Sequence, residues 1–183
     1  MAVPKLWDDS IATHREAVRG AVLDAAAALV AERGVTGVTM SEVAQRAGVG
    51  RATLYKYFPD VESVLAAWHE RQVGEHLRQL EDIWRRSGQL SDVLEAYAFI
   101  CYEHPQSEPA ASLHRSEHVT KAREHLIEFL AGLMTDVRDD VPPKELAAYC
   151  VHALGAGGAV PSKAAVRRLV AVTLTGLRGE SSG

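Results

Sequence analysis

The feature that most restricts the fold of this sequence is a pair of helical segments, 41–47 and 51–58, each too short to stand alone. Isolated helices below about 12–15 residues are marginal in water, so the pair needs a neighbour to pack on. Its boundaries are sharply punctuated. Thr39 is an N-cap residue type and Glu42 follows three positions later, the spacing of a capping box. Gly48 closes the first segment where a left-handed residue is favoured, and Pro59 stops the second. Upstream, Val18, Val22, Ala25 and Leu29 share one stripe of a longer amphipathic helix, 15–33, that ends at Gly34 and Gly37. That helix supplies the neighbour. Residues 1–14, with Pro4 and the single cation Lys5, read as an irregular arm.

At about 100° per residue, Leu54 and Phe58 lie on one side of segment 51–58, placed to pack against Val43, Ala44 and Ala47. The opposite side carries Ala52, Thr53 and Lys56, flanked by Arg51, Tyr55 and Tyr57. A longer helix followed by two short ones around a glycine turn is the arrangement of the DNA-binding helix-turn-helix, whose second helix enters the major groove. Gly50 and Ala52 are small enough to let the backbone approach closely. Thr53 can exchange hydrogen bonds with base edges, and its methyl can touch that of thymine. The alternative is an ordinary bundle in which Tyr55 and Tyr57 are half-buried and Arg51 and Lys56 form a solvated face. A net charge of −4 speaks against a general nucleic-acid coat. Between residues 43 and 58, however, Arg46, Arg51 and Lys56 occur with no acid among them. Three such cations in each of two subunits would limit the salt slope of DNA binding to about −5.

The run Val38-Thr-Met-Ser-Glu-Val-Ala-Gln-Arg-Ala-Gly-Val-Gly-Arg-Ala-Thr-Leu-Tyr-Lys-Tyr-Phe58 resembles the signature of the tetracycline-repressor-like (TetR) family. That signature is a Thr, an Ile/Val-Ala pair, Ala-Gly-Val, then Thr-Leu-Tyr and an aromatic or His before Phe. The preceding Ala31-Glu-Arg-Gly34 fits as well. The resemblance implies an all-α fold with about nine helices, divided into a three-helix DNA-binding domain at 15–59 and a helical ligand-binding and dimerisation domain at 60–183. It implies that Thr39 and Ser41 touch phosphate, that Gly50, Arg51, Ala52, Thr53, Tyr55 and Lys56 read bases or hold phosphate, and that Tyr57 clasps the backbone. Two positions depart from the pattern: Val61 stands where many relatives carry a phosphate-binding Lys, and Gly50 where many carry Ser. The function implied is that of a transcriptional repressor without cofactor or enzymatic activity. As a homodimer it would hold a palindromic double-stranded DNA operator and leave it when a small-molecule effector binds.

Beyond Pro59 the pattern stays helical, with segments at 60–86, 90–103, 112–137, 143–156 and 163–178 and Asp60 as an N-cap. Strand-like alternation is missing. By the resemblance, the last two segments build an intersubunit four-helix bundle. Leu146, Tyr149, Cys150, Ala153 and Leu154 would come from one, and Val166, Leu169, Val170, Val172, Thr173 and Leu177 from the other; burial within one chain is the alternative. Candidate effector-lining residues are Trp68, Trp84, Tyr97, Phe99, Cys101, Tyr102 and Phe129, all of which would serve equally as core. Cys101 and Cys150 follow no disulfide or metal spacing, which suits a reducing compartment. No apolar run reaches 18 residues, and Asp8 and Asp9 argue against a secretory leader, so a cytoplasmic protein with no membrane partner is expected.

A separate reading comes from His114-Arg-Ser-Glu-His118, formally an H-x-x-E-H pattern. On a helix, His114, His118 and His125 would share a face with Glu117 nearby, the layout of a zinc site in an enzyme or metal sensor. Three fixed letters arise readily by chance in a chain with eight histidines, and the assignment of metal ligands is accordingly none.

Overall fold

The computed structural model describes residues 5–104 and 117–178, with side chains from residue 13 onward. Every regular element among them is helical: α1 (Lys5–Arg33), α2 (Met40–Ala47), α3 (Arg51–Tyr57), α4 (Val61–Ser87), α5 (Leu90–Glu103), α6 (Glu117–Leu133), α7 (Pro143–Gly155) and α8 (Lys163–Leu177). Short 3-10 turns occur at Val35–Gly37 and Ala156–Ala159. The chain forms two compact units, 1–71 and 72–183, whose boundary falls inside α4. Val64 and Leu65, in the first turns of α4, are buried with the first unit.

In the first unit, α1 buries Val22, Leu23, Ala25, Ala26 and Leu29, the expected stripe and the positions beside it. Helix α1 starts at Lys5, so most of the arm expected at 1–14 is helical. The signal was present but unused. Pro4 immediately precedes the helix, and Asp8 and Asp9 fall near its amino terminus, where the helix dipole favours acids. Gly34 and Gly48 both take left-handed φ, 75° and 67°, a conformation that costs any other residue. At Gly48 the backbone N–H reaches the carbonyls of Ala44 and Gln45, ending α2. Among the described residues, three ion pairs at or near the surface brace the unit. Arg46 holds Glu32 through two bonds of 2.5 and 3.1 Å, Arg33 holds Glu42, and Arg71 lies 2.8 Å from Asp24. Exposed pairs of this kind contribute little each; the shared apolar core does the anchoring.

The second unit packs Leu80 of α4 with Val93, Leu94 and Ala98 of α5, Leu126 and Leu130 of α6, Leu146, Cys150 and Leu154 of α7, and Val166 and Val170 of α8. The Tyr97 hydroxyl donates to the Val151 carbonyl at 3.2 Å, joining α5 to α7. Thr173, fully buried, returns its hydroxyl to the Leu169 carbonyl at 2.9 Å and so carries no unsatisfied group into the core. Gly157 is fixed by space: a Cβ there would sit 2.7 Å from the Ala98 carbonyl. The segment expected as 112–137 is helical from Glu117 to Leu133, and its first residues lie outside the described ones. Among the described residues no helix is long and apolar enough to cross a membrane.

Two glycine substitutions should move stability in opposite directions. Gly157→Ala forces backbone against backbone and is expected to cost about 1–3 kcal/mol. Gly74→Ala, inside α4 with nothing within 4 Å of a new Cβ, should gain about 0.5–1 kcal/mol. Thermal melts of the two variants against the parent check the sign of each.

Candidate nucleic-acid interface

Helix α3 has only seven residues, and its orientation is set by what it buries. Leu54 is 0% exposed and Phe58 3%, against Val43 and Ala44, which are also buried, and the half-buried Ala47. On the other side Arg51, Ala52, Tyr55 and Lys56 are exposed, with Thr53 and Tyr57 half-buried. Tyr55 keeps 47% of its surface in solvent. The helix therefore presents outward the edge that the sequence pattern assigned to DNA. Gly50 caps α3 in an extended conformation, and its carbonyl accepts from the Leu54 N–H at 2.9 Å. A side chain there would meet nothing but Thr53 Oγ1 at 3.8 Å, so this glycine leaves open space where a partner can approach.

Helix α2 is capped as expected. The Thr39 hydroxyl accepts from the Glu42 N–H at 3.4 Å and donates to Glu42 Oε2 at 2.7 Å. Thr39 and Ser41 are exposed beside α3 on the sequence side that precedes it. The Thr39 hydroxyl, then Arg33, hold the Glu42 carboxyl below its ordinary range, and Arg46 does the same for Glu32. Both carboxylates thus stay charged at neutral pH and keep their arginines. For Arg46 this corrects the count of free cations, because its guanidinium is occupied by Glu32. Asp60 caps α4, accepting from the Ser63 N–H at 2.8 Å and the Ser63 hydroxyl at 2.7 Å, and its carboxyl is lowered by these bonds. One residue absent from the sequence reading joins the edge: Arg15 of α1 shares an open concavity of about 360 Å³ with Lys56 and Tyr57.

This helix arrangement has counterparts. The model for bacterial regulatory proteins of the tetR family matches residues 22–68, from the buried stripe of α1 into α4. Over that stretch the chain is similar to the amino-terminal domain of the tetR family. An uncharacterised HTH-type transcriptional regulator of Mycobacterium tuberculosis (strain ATCC 25618 / H37Rv) is 38% identical over 71 residues, 39% of this chain and 38% of that relative. The match therefore spans well under half of the relative's own length. Solved structures extend the likeness in fold. One is a transcriptional regulator of the TetR/AcrR family from Thermobifida fusca, with TM-score 0.61 and 20% identity over 88% of this chain and 98% of that one. Another is the transcriptional regulator FadR from Bacillus subtilis in complex with stearoyl-CoA, with TM-score 0.63 and 15% identity over 86% and 98%. An amino-terminal helix-turn-helix domain followed by a carboxy-terminal helical domain is the TetR architecture, and this chain has it.

Outside the helix-turn-helix, the candidate residues fare unevenly. Leu146, Cys150, Leu154, Val166, Val170, Thr173 and Leu177 are buried within the single chain, so they are spent on its own core and offer no surface to a second copy. Both α7 and α8 are apolar on two sides, and periodicity does not tell which side meets the chain's own core. The exposed side carries Tyr149, 45% exposed, and Val172, 66% exposed; Ala153 and Leu169 are half-buried. Among the effector candidates, Trp84, Tyr97, Phe99, Tyr102 and Phe129 pack partly buried against the second core. Tyr97 and Cys101 share a face of α5, and burial raises both of their pKa values. Arg167 lies over the Phe99 ring, 5.4 Å from its centre. Trp68 belongs to the first unit, where its indole N–H is buried with no partner among the described residues. His114 lies outside the described residues; His125 faces Glu81 at 3.2 Å. Among the described residues no group of three His, Cys, Asp or Glu could hold a metal ion, so the zinc reading finds no support.

Leu54→Asp places a carboxylate at a site with no exposure and no partner. The first unit should lose its fold while the second keeps its own, read as a drop in helical signal with the far transition of a thermal melt preserved.

Proposed function

We propose that this chain is a dimeric transcriptional regulator that binds a palindromic operator through α3 and is released from it by a small-molecule effector. The observation that carries the reading is the two-sided character of α3: a fully buried Leu54 on one edge, and Arg51, Ala52, Tyr55 and Lys56 in solvent on the other. An edge of small residues flanked by cations and a hydroxyl-bearing aromatic suits the major groove, where Thr53 and Arg51 can meet base edges. Thr39, Ser41 and Tyr57 are placed to steady the backbone on either side. A cytoplasmic location follows from this role.

Dimerisation is assigned to the solvent side of α7 and α8. Two copies must set their recognition helices one helical turn of DNA apart, about 34–36 Å, and a self-complementary patch does this by symmetry. Tyr149 and Val172 are large apolar residues left in water, and the Tyr149 hydroxyl lies 3.3 Å from where a Cβ of Gly176 would be, so the ring rests across α8. The second unit is the place for the effector. The stearoyl-CoA complex of the Bacillus subtilis regulator supports small-molecule binding in this fold. Because α4 contributes to both units, an effector favouring one setting of that helix lowers operator affinity by its differential binding energy. Repression, as distinct from activation, follows from an operator that overlaps a promoter, and transcript levels after deletion of the gene read the sign.

The decisive experiment is selection of bound fragments from random DNA, followed by titration of the selected site. Arg51→Ala and Tyr55→Ala should each weaken binding by about 1–3 kcal/mol per half-site with the dimer intact. Wild-type affinity in both would remove α3 from the interface. Independently, Val172→Arg should convert the dimer to a folded monomer in sedimentation velocity; an unchanged sedimentation coefficient places the interface elsewhere.

A further inference from the structure

We infer that Arg15, with Lys56 and Tyr57, forms a seat for a phosphodiester of the DNA backbone at the carboxy-terminal end of α3, an inference that rests on the DNA-binding reading above. The three side chains come from α1 and α3 and line one open concavity of about 360 Å³. Forty-one positions separate Arg15 from Lys56 (56 − 15), so helix packing creates the juxtaposition.

Charge pairing leaves Arg15, Arg51 and Lys56 open, and of these Arg15 and Lys56 share one hollow. In the first unit Arg33 is held by Glu42, Arg46 by Glu32 and Arg71 by Asp24. Arg19 lies over the Phe58 ring, 5.3 Å from its centre. Arg15 and Lys56 have no carboxylate partner among the residues whose side chains are described, although both stand in solvent on one hollow. Two like charges sharing a concavity repel, and an anion between them relieves that repulsion. The donor set identifies the anion. A guanidinium presents paired N–H groups that match two phosphate oxygens, an ammonium adds a point charge, and a phenol adds one more donor. Nothing in this set reads a base.

The location agrees with a groove. Seven helical residues extend about 10 Å at 1.5 Å each, close to the roughly 12 Å width of the major groove. With Arg51 at the first turn of α3 and the seat at its last, the helix carries a cation at each end. Each can reach the phosphate wall nearest to it. The seat thus sets how deeply and at what angle α3 enters, while the residues between read sequence.

The test titrates the full-length wild-type dimer, Arg15→Gln and Arg15→Lys against the DNA site selected by the wild type, from low to high KCl. Arg15→Gln should lower the magnitude of the slope of log affinity against log salt by about 2, one phosphate per subunit at about 0.9 each. Binding at the lowest salt should weaken at least tenfold, and the preferred bases should not change. Arg15→Lys should retain the slope. If Arg15→Gln binds with wild-type slope and affinity, the seat is refuted while the function stands. If the wild type selects no DNA at all, the function falls first. Calorimetry with inorganic phosphate forms the second arm: tight phosphate binding that Arg15→Gln abolishes, with the DNA slope unchanged, would make this a site for a free anion and overturn the proposal.

Discussion

Burial of Leu54 is the interaction on which the rest of the first unit depends. Helix α3 makes barely two turns, far below the length at which a helix persists by itself. Its existence and its aim are therefore tertiary properties. Full burial of a leucine side chain is worth about 1.5–3 kcal/mol, and here it goes with the burial of Val43 and Ala44 in α2, on which α3 packs. Phe58, at the end of the same edge, holds the far side and receives Arg19 over its ring. Once this edge is seated, no freedom remains in which residues face outward. The ion pairs at the periphery, Arg46 with Glu32 and Arg33 with Glu42, tie α2 to the end of α1 and fix register more than they add stability.

The second unit solves a different problem. Its last two helices are apolar on more than one side, and the chain fills one side itself, with Val166, Val170 and Leu177 from α8 against Leu146, Cys150 and Leu154 from α7. Burial raises the Cys150 thiol to about 11, leaving it an inert piece of core. The Gly157 turn allows α5 to approach the end of α7 at backbone contact. What remains outside, Tyr149 and Val172, is a small apolar area on rigid elements.

Much of this was legible in the residues alone, and the failures have physical causes. The caps at Thr39, Gly48 and Asp60 were readable because a local hydrogen bond or a left-handed φ demands a particular residue type within four positions. The outward edge of α3 was readable because helical geometry fixes which residues oppose Leu54. The beginning of α1 was missed because residues 5–14 lack an apolar stripe, leaving only the Pro4 and Asp8–Asp9 placement to signal a helix. The partner of Arg46 and the neighbours of Arg15 were invisible because each pairing spans separate helices. For α7 and α8 the residues alone left open which apolar side meets the chain's own core. Periodicity reports that a side is greasy, not whose core it enters.

The self-neutralised arginines have a kinetic consequence. With Arg33 and Arg46 already satisfied at home and the chain carrying a net −4, the attraction for arbitrary sequence in the proposed DNA complex would rest on Arg15, Arg51 and Lys56 alone. Dwell on random duplex would then be shorter than with all five cations open, and linear diffusion would cover fewer base pairs per encounter. On the proposed function, the search for an operator would then proceed through many short collisions, and occupancy would respond to copy number in the cell more than to the length of flanking DNA.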